Sequence, residues 1–269
     1  MTNALAIEVT VLGSGTSAGV PMIGCYCATC QSSDPRDKRS RPSVVVSYAG
    51  KNVLVDTSPE LRLQAVTHRL DRVDAVVYTH GHADHIFGLD DVRRYNTIMN
   101  AVLPIYARAN TMHTLQRVFA YAFEVVKPQG VYRPDLRPVV IEESLEDFNV
   151  LGQPWTPIRM MHGREETLGF RVGGFAYCTD CNSIPEESMA KLRGLDVLII
   201  DGLRPTPHPT HLSFEQALAI IAELRPQRAF LTHLSHDVPH EQIEANLPEH
   251  VRVCYDGLRI SIAGRRNTP

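Results

Sequence analysis

The stretch that most constrains this chain is Thr79-His80-Gly81-His82-Ala83-Asp84-His85. It follows Ala75–Thr79, an apolar run that reads as a buried strand, so four metal-binding side chains are delivered together at a strand end. His80 and His82 are two apart and point the same way in an extended segment. Asp84 and His85 are adjacent and must diverge, which suits a second ion. Gly81 and Ala83 are small enough to let the backbone fold tightly around a metal. Imidazole accepts zinc, iron and manganese alike, and a carboxylate adds charge for the harder ions.

The remaining periodicities give a regular series of elements. Strands are predicted at Ile7–Leu12, Val44–Tyr48 and Val53–Asp56, the last two separated by the turn signal Ala49-Gly50-Lys51-Asn52. Ser58-Pro59 reads as a helix start, with Ser58 as N-cap and a helix running to about His68. After the histidine loop come more helix, a strand near Pro104–Tyr106 and a helix from Asn110 to Val125. Lys127–Arg137 reads as a surface loop rather than an interdomain linker. The second half repeats the theme, with strands at Pro157–Met161, Gly169–Val172 and Phe175–Thr179, a helix at Pro185–Leu192 and a strand at Val197–Asp201. Ser213 with Gln216 makes a capping box for a helix to about Leu224. A strand at Arg228–Thr232 then ends at His233, and a last hairpin follows. The halves match in order rather than in residues. This predicts one α/β domain (α+β type) over residues 1–269, two sheets with helices on both outer faces, rather than a doubly wound parallel sheet.

Composition narrows the partners. A net charge of −3 on 269 residues provides no global field for nucleic acid or anionic membrane, so phosphate recognition must be local. No apolar run approaches the ~20 residues of a membrane span. The opening Met-Thr-Asn-Ala leads straight into a strand without a secretory pattern, and a cytoplasmic location is expected. There, cysteines serve as ligands or bystanders more often than as disulfides. Cys25, Cys27 and Cys30 supply three thiolates, one short of a structural zinc site, and His236 is the nearest candidate for the fourth. Cys178 and Cys181 read as packing residues. Arg36, Lys38, Arg39 and Arg41, diluted by Asp34 and Asp37, read as solvated surface.

His-x-His-x-Asp-His at 80–85 resembles the signature of the metallo-β-lactamase superfamily, and its other motifs follow in order. Asp56 in Val-Leu-Val-Asp-Thr resembles the aspartate that supports the ligand loop. His162 in Met-Met-His-Gly, Asp180 in Cys-Thr-Asp-Cys and His233 in Leu-Thr-His-Leu match the later ligands. The resemblance implies a four-layer αββα sandwich and two divalent ions, zinc or manganese and also iron, about 3.5–4 Å apart. One ion would rest on His80, His82 and His162, the other on Asp84, His85 and His233, with Asp180 bridging. A hydroxide bridging the pair would attack the electrophile, and no serine or cysteine nucleophile is needed. Gly13-Ser14-Gly15-Thr16-Ser17 is a glycine loop without the P-loop lysine. The cysteine loop is similar to that of PhnP-type cyclic phosphodiesterases, which implies one structural zinc on Cys25, Cys27, Cys30 and His236.

The fold alone does not choose a substrate. His211, two residues before Ser213, resembles the extra histidine of the phosphodiesterase branch, where it aids the leaving oxygen; it joins Asp84 as a catalytic candidate. His208, between prolines, reads as a rigid spacer, and Arg204 is equally a phosphate contact or a surface residue. The tRNA-gripping arm of tRNase Z has no counterpart. The expected substrate is therefore a small phosphodiester, cyclic or nucleotide-like, with no membrane and no extended nucleic acid bound, and the resemblance also implies a homodimer. Two alternatives stand beside it: a thioester hydrolase of the glyoxalase II type, whose appended helical region has little room after His233, and a non-catalytic PqqB-like metal-binding protein. Zinc β-lactamases lack the Asp84-His85 pairing.

Overall fold

A computed structural model describes residues 6–124, 130 and 132–263. Fourteen strands are found among them: β1 Ile7–Gly13, β2 Ser43–Tyr48, β3 Lys51–Val55, β4 Ala75–Val77, β5 Leu103–Arg108, β6 Leu136–Ile141, β7 Phe148–Val150, β8 Gln153–His162, β9 Glu165–Val172, β10 Phe175–Cys178, β11 Val197–Asp201, β12 Arg228–Thr232, β13 Val251–Val253 and β14 Arg259–Ile262. They form two seven-stranded sheets, ordered β14-β1-β2-β3-β4-β5-β6 and β13-β12-β11-β10-β9-β8-β7. Each sheet is antiparallel on one side and parallel on the other, β3 to β6 in the first and β10 to β13 in the second. Parallel strands put their carboxyl ends on one edge, where ligands of open α/β sheets bind.

Strand alternation sorts the core into three layers. Val53 and Val55 point inward with Val9, Val44, Val46, Trp155, Phe170, Tyr177 and Ile199, filling the space between the sheets. Leu54, between those valines, faces outward onto Leu61, Leu89 and Leu115 of the first helical layer. On the far side Ile158, Leu198 and Leu231 pack on Met189, Ile221 and Leu224. The result is the expected four-layer sandwich, helix–sheet–sheet–helix. Among the described residues no helix is long and apolar enough to cross a membrane.

Several local expectations change. The β2–β3 turn is only Ala49-Gly50, both at positive φ (48° and 71°), the geometry of a tight two-residue hairpin, so pairing resumes at Lys51. Ser58 does not cap the helix Leu61–His68. Its hydroxyl donates to Gln64 Oε1 and its carbonyl receives Leu61 N–H, and the helix starts two residues late, with Glu60 as N-cap. The helix expected from Asn110 runs Ala109–Val118 and breaks at Phe119 (φ −114°, ψ 41°) before a short turn, Ala120–Phe123; Val125 lies outside the described residues. Of the Lys127–Arg137 loop, 127–129 and 131 lie outside them too, while Leu136 and Arg137 begin β6.

The closing hairpin is absent. Val251–Val253 pairs parallel with β12, whereas Arg259–Ile262 crosses back to pair antiparallel with β1 of the other sheet. Arg39 is not solvated surface but 3% exposed, donating to Ser14 Oγ and the Cys254 carbonyl and facing His240 Nδ1. Its companions Arg36 and Arg41 pair with Asp34 and Glu60, and Lys38 donates to the Cys30 carbonyl. Of the basic run, Lys38 fastens the cysteine loop and Arg39 ties the loop's flank to the end of the chain.

Gly88 sits where the histidine loop returns to β3, its N–H donating to the Thr57 carbonyl. A β-carbon there would lie 2.0 Å from the Ser58 carbonyl oxygen, and backbone cannot swing away. Gly88→Ala is therefore expected to lower stability by about 1–3 kcal/mol, seen as a lower urea midpoint at unchanged slope.

Candidate metal centre

The strand ends converge as their sequence positions require. Asp56 follows β3, His80 and His82 follow β4, His162 closes β8, Asp180 follows β10, Asp201 closes β11 and His233 follows β12. Asp56 and His233 both take left-handed backbone (φ 62° and 60°), uncommon for these residues and a form of strain that packing must hold in place. Beyond His82 the loop turns into the short helix Ala83–Ile86, and there Asp84 and His85 converge rather than diverge as their adjacency suggested, with His85 Nε2 3.4 Å from Asp84 Oδ2.

Two groups of donors result. His80, His82 and His162 each place one ligand atom within 4.8 Å of the others, and Asp84, His85, Asp180 and His233 do the same. Hydrogen bonds fix the rings from behind. His85 Nδ1–H donates to Asp56 Oδ2 at 2.7 Å, and His80 Nδ1–H donates to Thr79 Oγ1 at 3.0 Å. That hydroxyl passes its own proton to Asp56 Oδ2 at 2.8 Å. His162 Nδ1–H donates to the Thr210 carbonyl at 2.7 Å. In each ring Nδ1 is engaged and Nε2 is turned to the site.

These residues fit divalent ions on their own geometry. Nε2 of His80 is buried with no hydrogen-bond partner, and Nε2 of His85 and His233 face only the Asp84 and Asp180 carboxylates, at 3.2–3.8 Å and without hydrogen-bond geometry, which is costly for buried polar atoms unless something coordinates them. The electrostatics agree. Burial opposes charge throughout, yet the carboxylates of Asp180, Asp84 and Asp56 hold His85 well above its usual range, and Asp180 holds His233 up at about 10. Against the same burial, His233 and His85 hold the Asp180 carboxyl well below the usual range. The pocket calls for positive charge. His80, without such close carboxylates, is pushed well down by burial and is neutral. Glu165 Oε2 lies 3.5 Å from His82 Nε2 at the rim.

The cysteine loop closes as its spacing suggests. His236 Nδ1 is 3.3 Å from both Cys25 Sγ and Cys27 Sγ, and Cys30 completes a four-donor group. His236 draws the Cys27 thiol down to about 6, whereas burial pushes Cys30 up to about 11. Three thiols and one imidazole suit zinc. Cys178 and Cys181 are fully buried among the outer apolar residues of the second sheet.

His211 stands beside the second donor group. Its ring stacks on His233 (centroids 4.5 Å apart, planes 14° apart) and meets His162 edge-on at 4.7 Å. Its Nδ1–H donates to Asp201 Oδ2 at 2.7 Å. Asp201 is the residue that sequence reasoning passed over. It ends an apolar β-branched strand just as Asp56 follows one, and that shared pattern was the available signal. His208 lies 5.2 Å from His211 ring to ring and is tied to Thr210. Arg204 donates to the carbonyls of Thr206 and Pro207, bracing its own loop.

Comparisons with known proteins follow this geometry. Residues 51–234 match the family described as beta-lactamase superfamily domain. An octanoyltransferase of Porphyromonas gingivalis is 38% identical over 255 residues, 94% of this chain but 51% of that protein, so the chain spans about half its length. A coenzyme PQQ synthesis protein B of Methylorubrum populi is 30% identical over 222 residues, 73% of either chain. Among solved structures, a diphosphatase from the PhnP family has 44% identity and a TM-score of 0.89, covering 96% of this chain and 98% of its own. Human tRNase Z, short form, shares the fold at 18% identity and a TM-score of 0.68, over 95% and 99% of the two chains.

Asp56→Asn should keep the fold and weaken metal retention by about 10–100-fold, the usual effect of losing a carboxylate behind a ligating histidine. Competition with a chelator, alongside an unchanged far-ultraviolet spectrum, checks this; full retention of metal would remove Asp56 from the site.

Proposed function

The chain belongs to the metallo-β-lactamase superfamily, and from that footing we propose that it is a dinuclear metal-dependent hydrolase of small phosphodiesters, including cyclic ones and the chemically similar disubstituted diphosphates. The observation that carries the reading is the buried Asp201–His211 pair set against the second donor group. A phosphoryl leaving oxygen needs a proton, whereas a thiolate leaving group does not. The likeness to a diphosphatase from the PhnP family supports the same class.

His80, His82 and His162 would hold one ion, Asp84, His85 and His233 the other, with Asp180 between them. When bound, such ions acidify a water and offset charge on the phosphoryl oxygens. The protein's own part is positional. Asp56 and Thr79 keep His80 and His85 in the tautomer that presents Nε2. Asp201 holds Nδ1–H of His211, so a proton delivered to the leaving oxygen comes from Nε2, at a ring whose tilt is fixed by stacking on His233. Cys25, Cys27, Cys30 and His236 would hold one structural zinc. Three ions per chain are thus expected, two exchangeable and one retained after mild chelation. Native mass spectrometry counts them, and Cys27→Ser should lose the retained zinc and stability together.

His211→Ala is expected to keep both exchangeable ions while kcat on alkyl and cyclic diesters falls about 10²–10⁴-fold. The deficit should shrink for p-nitrophenyl esters, whose leaving oxygen needs less protonation. Loss of a metal, or full activity on alkyl diesters, would refute the role. The name of the Porphyromonas gingivalis relative supports a second reading, chemistry at an acyl thioester. A panel of linear and cyclic diesters, disubstituted diphosphates and acyl thioesters separates the two: turnover confined to thioesters would favour the second, and turnover of none by metal-loaded protein a PqqB-like binding role.

A further inference from the structure

Asp201 has a second oxygen that the His211 contact does not use. Oδ2 accepts both His211 Nδ1–H and, at 2.9 Å, Cys181 N–H, while Oδ1 is buried without a partner in a side chain that is fully enclosed. Beside it, in a side chain equally enclosed, His233 Nε2 faces Asp180 Oδ2 at 3.2 Å while Nδ1 is buried without a partner. Only one nitrogen of an imidazole serves a given ion. The second donor group therefore accounts for one of these atoms and leaves the other, with Asp201 Oδ1, without a role. Asp180, Asp201, His211 and His233 each offer one ligand atom, all within 4.8 Å of one another and all buried.

We propose that these four residues form a further, weaker divalent-cation position, of which Asp201 and His211 are the private ligands and Asp180 and His233 are shared with the second active-site ion. The inference rests on the dinuclear reading above for those two shared residues. Two imidazole nitrogens and two carboxylate oxygens suit a borderline-soft ion, Zn²⁺ in preference to Mg²⁺. Binding there requires His211 Nδ1–H to give up its proton or the ring to turn Nε2 toward the ion. Either change breaks the Asp201–His211 hydrogen bond as it stands. An ion in this place withdraws His211 from the leaving oxygen. It is an inhibitory site, filled when zinc exceeds what the other positions hold, and it gives the enzyme a ceiling on zinc as well as a requirement for metal.

The test counts ions first and activity second. Protein carrying its two active-site ions and its retained zinc is titrated with Zn²⁺ alone, against a competing chelating dye, for the native chain, Asp201→Asn and His211→Asn. The native chain should take up one additional, weaker equivalent that both variants lack, and its diester turnover should fall over the same zinc range but not with Mg²⁺. Asn at 201 keeps an oxygen for Cys181 N–H, so the fold survives the change, and His211→Asn makes an independent second probe. Absence of the additional equivalent from native protein that still holds its two active-site ions overturns this proposal alone. So does its persistence in both variants, which would place the zinc on surface histidines. A native chain holding fewer than two active-site ions would instead overturn the dinuclear reading, and this one with it.

Discussion

One carboxylate organises the centre. Asp56 is wholly buried at the end of β3 and receives three hydrogen bonds, from Thr79 N–H, Thr79 Oγ1 and His85 Nδ1. The first two tie β3 to the end of β4 and so set where the ligand loop leaves its sheet. The third, with the relay through Thr79 to His80, sets the proton positions of one histidine from each donor group. Burial raises the Asp56 pKa above the ordinary carboxylate value, and His85 and the bonds from Thr79 counter that rise only in part.

Around that carboxylate the centre is electrically incomplete. Asp84 and Asp180 lie among imidazoles whose protonated forms they favour, so protons and metal ions compete for the same atoms. Ligand histidines must be neutral to coordinate, and loading the site therefore releases protons. With His85 and His233 both held above their ordinary range, acidification works against the second donor group before it reaches His80, which burial already keeps neutral.

Much of this was legible in the residues because the ligands sit where apolar runs stop. Val53–Val55 before Asp56, Ala75–Val77 before His80 and Arg228–Thr232 before His233 each announce a strand end, and the capping box at Ser213 and Gln216 is present with both reciprocal bonds. What escaped depends on contacts distant in sequence. Ser58 gives up a cap because Gln64 lies within reach. Arg39 reads as surface until Ser14, Cys254 and His240 close over it. The two last strands look like a hairpin, yet each finds its partner in a different sheet. Asp201 stood in plain view at a strand end, but only His211 folding back onto it gives that carboxylate a purpose.

The crossing of β14 has a consequence for how the molecule comes into being. Asp256, just before that strand, accepts hydrogen bonds from Ser14 and Ser40, and it does so across 242 residues of chain in the case of Ser14. Contacts of such span form late, because loop closure must be met before they return anything. During synthesis the first sheet therefore waits with β1 bare along one edge until residues near 260 have left the ribosome. The segment from Ser14 to Ser40, which contains the cysteine loop, waits with it. Its fourth donor, His236, lies 211 residues beyond Cys25, so a zinc ion held first by the three thiols alone would gain its last ligand only as the far end of the chain closes over this segment.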